Sequence, residues 1–214
     1  PLTGLLDRKV ILLVDAYYAS RKVIEPLLVH GHHLVTRVRS TAVGYELPAP
    51  VLKPGRGRPA VYGPRVKLKT CWKRQGEFLT APSPAYGERG VTIRYLVLDL
   101  LWRPLGHLVR FVFVDHPTRG RIILMTTLLT LDPLDVIRLY AWRFKIEVSF
   151  KPAVHTIGAY AYHFWMKDMT PIRRGSGDQY LHRKTSAYRE HVIRKLRAYH
   201  LHVQLGCIAQ GLLT

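Results

Sequence analysis

The sequence predicts an α/β fold, and three stretches carry that prediction. Residues 9–38 read as strand, helix, strand; residues 40–130 are β-like runs between Gly- and Pro-rich turns; residues 131–151 hold a strong helical period. At 214 residues and 48% hydrophobic composition the chain can bury a packed core, which excludes global disorder.

The first run, from Lys9 to Val14, is Lys-Val-Ile-Leu-Leu-Val, the aliphatic texture of a strand buried on both faces. It ends on Asp15, at the carboxyl edge where open α/β sheets place ligands. The structural alternative for Asp15 is a turn or cap residue. Ser20 suits the N-cap of a helix carrying Val23, Ile24, Leu27 and Leu28, which Gly31 closes, with Pro26 as an irregularity that kinks it. His33 to Val38 is the second strand, completing a βαβ-like unit.

Residues 66–72, 92–101, 107–114 and 121–128 read as strands, the last two forming a hairpin across a turn at residues 115–120. Asp99 is then a strand residue facing solvent or a partner, and Asp115 a turn former. From Lys53 to Gly76 no acid occurs, while Lys53, Arg56, Arg58, Arg65 and Lys67 do. Arg56-Gly57-Arg58-Pro59 resembles the core of an AT-hook, which lays Arg side chains in a narrow minor groove; its alternative is a solvated linker.

Asp132 and Pro133 are an N-cap and first-turn pair for the helix over residues 131–151. At about 100° per residue, Tyr140, Arg143, Glu147 and Lys151 share one face, while Leu134, Ile137, Ala141, Phe144 and Val148 share the face that docks. A carboxylate flanked by cations suits a metal beside phosphate, and equally a surface helix with spaced salt bridges. Residues 156–169 read as an aromatic-rich helix, residues 170–184 as a loop with Arg173 and Arg174, and residues 188–205 as a final amphipathic helix. His30, His32, His33, His200 and His202 lack a third ligand and are read as non-metal.

Charge names the class of partner. Lys plus Arg number 33 against 14 acids, a net charge of +19, as expected of a protein that meets a polyanion. A ribosomal or membrane-surface protein carries the same bias, so charge alone gives no reaction. Cys71 and Cys207 lack disulfide or zinc spacing, no apolar run spans a membrane and no signal peptide opens the chain, so a cytoplasmic location is expected. The chain starts at Pro1 and runs quickly into an apolar strand, from which natural sequence upstream is expected.

The spacing Tyr140-x2-Arg143-x3-Glu147, with Leu-Met-Thr-Thr-Leu-Leu-Thr-Leu-Asp-Pro before it and Val-Ser-Phe-Lys after, resembles the Tyr-Arg-Glu-Lys signature of bacterial insertion-sequence transposases of the DDE class. The signature Lys is expected seven residues after Glu147, where this chain has Val154; Lys151 is the candidate replacement. The segment from Val14 to Ser20, followed by a helix and His33 to Arg39, is similar to the family's region around its second catalytic Asp. Asp15 matches that Asp, and Arg37 and Arg39 match a basic strand end.

The resemblance implies an incomplete ribonuclease-H-like fold: a partial core at 1–39, a β-rich insertion at 40–130, and helices at 131–214 carrying the catalytic Glu. It implies metal-dependent cleavage at transposon ends and strand transfer to target DNA within a homodimeric, nucleoid-associated complex. Asp15 and Glu147 would hold Mg²⁺ or Mn²⁺, two ions in the complete site. Asp7 is too near Asp15 to be the first carboxylate, so the chain is expected to lack it and to be inactive alone. The competing reading is a non-catalytic DNA-binding remnant or regulator of a full-length transposase.

Overall fold

The computed structural model describes residues 8–50, 59–155 and 180–213, with positions 158, 173 and 175. It divides into two compact units, Pro1–Lys145 and Ile146–Thr214.

In the first unit, β1 (Ile11–Val14) lies parallel to β2 (His33–Val38), Val14 opposite Thr36, and α1 (Arg21–Val29) connects them. Ser20 is extended at the N-cap position of α1, and the helix continues through Pro26. At its far end Gly31, at φ +71°, turns the chain so that the His32 N–H donates to the Leu27 carbonyl (2.8 Å). Six more strands complete the sheet: β3 (Val43–Tyr45), β4 (Arg65–Lys67), β5 (Leu79–Pro82), β6 (Thr92–Trp102), β7 (His107–His116) and β8 (Gly120–Thr126). The order is β1-β2-β8-β7-β6-β3-β4, with β5 also on β6. β7 and β8 form the expected antiparallel hairpin, and β8 pairs directly with β2. The stretch expected as an insertion therefore shares one sheet with the opening strands.

Both faces of this sheet are covered, which is why its central strands read as nearly continuous apolar runs. One face packs Ile24 and Leu27 of α1 against Val38, Phe111, Phe113 and Ile123. The other packs α3 (Pro133–Trp142), through Val136, Ile137 and Ala141, against Val35, Val112, Val114 and Leu124. Asp132 caps α3, its carboxylate accepting the Leu134 N–H at 2.8 Å.

Three expectations need correction. Residues 66–72 do not form a strand: β4 stops at Lys67, and α2 (Leu68–Cys71) follows, because Leu68 and Cys71, three apart, are both buried. Asp115 is a strand residue, paired across β7 and β8 with Arg121 (3.3 Å), and the turn lies beyond it. Asp99 is, as expected, a strand residue with an exposed side chain, and it pairs with Arg110 at 2.8 Å. The helix over 131–151 is two: α3 ends at Trp142, Arg143 donates its N–H to the Tyr140 carbonyl three residues back (3.1 Å), and α4 (Phe144–His155) runs on through Pro152. β3 and β5 were not anticipated.

The second unit contains α4 from Ile146 onward and α5 (Ser186–Leu213), longer at both ends than the expected helix over 188–205. Gln210 of α5 donates to the Ser149 carbonyl of α4 at 2.8 Å. The aromatic-rich helix expected over 156–169 lies outside the described residues except for position 158. Among the described residues no helix is long and apolar enough to cross a membrane.

Candidate active site

β1 delivers Asp15 to the end of the sheet and then stops. Asp15 keeps an extended backbone and caps the single 3₁₀ turn that follows, its Oδ1 accepting the Ala16 N–H at 2.7 Å. From β2, Thr36 Oγ1 donates to the Asp15 carbonyl (3.0 Å), tying the two strand ends together. The Asp15 side chain is exposed and opens onto a groove of about 570 Å³ that Arg37, Arg39, Trp72 and Arg121 also line. Three arginines against one carboxylate give this groove a net positive lining.

α3 brings Tyr140 and Arg143 to the same region. Tyr140 is half-buried, and burial pushes its phenol pKa up. Arg143 opposes that shift, Asp15 adds to it and Arg37 opposes it, so all three charges act on one phenol. The Arg143 guanidinium lies 5.6 Å from the centre of the Tyr140 ring. Asp15, Arg37, Tyr140 and Arg143, drawn from three elements, are thus brought together.

The remaining expected residues are placed as follows. Glu147 and Lys151 lie exposed on α4 in the second unit. Arg65 and Lys67 are exposed on β4 at the sheet edge, and Arg173 is exposed. Lys53, Arg56, Arg58 and Arg174 fall outside the described residues. Sequence reasoning missed Trp72 and Arg121. Trp72 stands in the acid-free basic run, the one signal that marked its neighbourhood; Arg121 is one of 33 cations and nothing local distinguishes it.

A divalent cation fits Asp15 in part. Its cap bond uses Oδ1, and Oδ2 is the hard oxygen donor such an ion takes. Among the described residues no group of three or more His, Cys, Asp or Glu side chains is placed to hold a metal.

The family model of the transposase DDE domain matches residues 2–153. The chain belongs to this family. No curated protein matches it. The match takes in β1 through almost all of α4, and so both the Asp15 groove and Tyr140, Arg143 and Glu147. DDE transposases are DNA enzymes of polynucleotidyl transfer and generally use divalent metal ions, which agrees with a groove rich in arginine beside an exposed carboxylate.

Proposed function

We propose that this chain is the catalytic part of an insertion-sequence transposase of ribonuclease-H-like fold, cutting DNA at transposon ends and joining those ends to target DNA. The observation that carries this reading is the convergence of Asp15, Arg37, Tyr140 and Arg143 at the end of β1 and β2. Asp15 and Glu147 would be two ligands of a pair of Mg²⁺ or Mn²⁺ ions, with a third carboxylate completing the set. Such ions activate the attacking oxygen and stabilise the leaving one. The chain's own residues position the phosphodiester. Arg143 offers a planar fork to two phosphate oxygens, the half-buried Tyr140 stays a neutral hydroxyl donor at neutral pH, and Arg37 adds charge from β2. Lys151 serves where the family's signature Lys would stand. The working form is a homodimer on DNA.

The test uses the transposase with its complete carboxylate set. Asp15→Asn or Glu147→Gln should lower Mg²⁺-dependent cleavage of a duplex bearing the element's ends by more than about a hundredfold, with DNA affinity within about threefold of wild type. Cleavage that survives either change would refute the assignment.

A further inference from the structure

The groove at Asp15 passes from one face of the sheet to the other. Residues directly opposite in an antiparallel pair share a face, so Arg37, opposite Leu124, lies on the α3 side with Tyr140. Val38 and Ile123 lie opposite each other on the other side, and Arg121, two residues before Ile123, points there too. Trp72 packs on that second face, edge-on to Phe113 (5.3 Å) and stacked on Phe78 (5.7 Å). Arg121 and Trp72 nevertheless line the same groove as Asp15 and Arg37. The groove thus wraps the strand ends, with cations on either side of one carboxylate.

Arg121 is held in this position. Its guanidinium lies 5.2 Å from the centre of the Trp72 ring, and its Nε pairs with Asp115 at 3.3 Å. That pairing engages the inner edge of the guanidinium and leaves the Nη edge for a bidentate contact, with the side chain 51% exposed. We propose that Arg121, held over the Trp72 ring, is a phosphate anchor for the DNA strand on the side of Asp15 away from Tyr140 and Arg143. This rests on the transposase reading: a strand reacting at Asp15 has two flanks, and Arg37, Tyr140 and Arg143 account for one. Trp72 is a positioning residue for the other.

Fluorescence anisotropy on a duplex of about 24 base pairs, measured across a salt series, tests the assignment. Wild type should lose affinity linearly in log salt. Arg121→Ala should reduce that slope by about one and weaken binding about tenfold at low salt. Arg121→Lys, which keeps the charge but not the fork, should keep the slope and lose affinity several-fold. Lys9→Ala, at the amino end of β1 and so at the opposite end of that strand from Asp15, should leave the slope unchanged. An unchanged slope in Arg121→Ala, or an equal reduction in Lys9→Ala, would overturn the anchor while leaving the transposase reading intact. A wild-type affinity indifferent to salt would overturn both.

Discussion

Glu88 clasps the loop between β5 and β6 to the end of the β7–β8 hairpin, and replacing it with Gln should cost about 2 kcal/mol of stability. Its Oε2 accepts from His116 Nε2 (2.9 Å) and Ser83 Oγ (2.8 Å), and its Oε1 accepts from Arg119 Nη2 (2.8 Å). The hydrogen bond from His116, then that from Ser83, holds the carboxyl at about 2 instead of the usual 4.5. His116 is buried, and its Nδ1 lies 3.3 Å from the backbone N–H groups of Thr118 and Arg119, which fixes the ring with its proton on Nε2. The depressed carboxyl corresponds to about 3 kcal/mol in favour of the folded state; Arg119 is half exposed and solvent screens it, which lowers the expectation to about 2. Because the folded-state value is the lower one, this stability is fully present above about pH 4.5 and is lost as pH falls towards 2. Urea unfolding of wild type and Glu88→Gln at neutral pH should differ by about 2 kcal/mol, or about 4–8 °C in Tm. The gap should close on acidification. Equal stability at neutral pH, or a gap undiminished near pH 2, would refute the clasp.

Other perturbations separate the roles of single groups. Arg143→Lys keeps the charge beside Tyr140 and removes the planar fork, so cleavage by the complete enzyme should fall at least about tenfold while salt-dependent DNA binding persists; unchanged cleavage would show that charge alone suffices. Replacing Arg56 and Arg58 together with Ala should weaken binding to A·T-rich duplexes more than to G·C-rich ones in a competition assay; equal losses would reduce that segment to generic phosphate contact.

How much was legible depended on the range of the signal. β1, α1 and β2 were readable because an aliphatic run, a helical period and a closing glycine are all local. The β7–β8 hairpin was readable for the same reason. β3 and β5, of three and four residues, are strands because β6 offers them an edge, and β5 ends on Pro82, a residue that by itself disfavours a strand. Leu68 and Cys71 were misassigned because Val66-Lys67-Leu68-Lys69-Thr70-Cys71-Trp72 is too short a stretch for its apolar positions to distinguish the two periods until one knows which residues are buried. Tyr140 and Arg143 could be found, since their spacing is a property of one helix. The interruption at Arg143 could not, because nothing in its own composition stops a helix. Trp72 and Arg121 meet only through the sheet, and no pattern near either residue announces the other.

Asp15 met two readings that the sequence could not separate, a cap and a metal ligand, and the geometry accommodates both. The cap needs one oxygen: Oδ1 receives the Ala16 N–H at 2.7 Å and starts the 3₁₀ turn that carries the chain towards α1. A cation needs the other, together with the negative charge. Substitution therefore separates the roles. Asn caps as well as Asp, so Asp15→Asn should leave urea stability within about 0.5 kcal/mol of wild type while abolishing cleavage by the complete enzyme. Asp15→Ala removes both and should cost about 1 kcal/mol in addition. If Asn destabilised as much as Ala, the charge would be holding the fold, and lost activity could not be read as a lost ligand. If Asn left cleavage intact, Asp15 would be a cap residue and the groove beside it a binding surface without chemistry of its own.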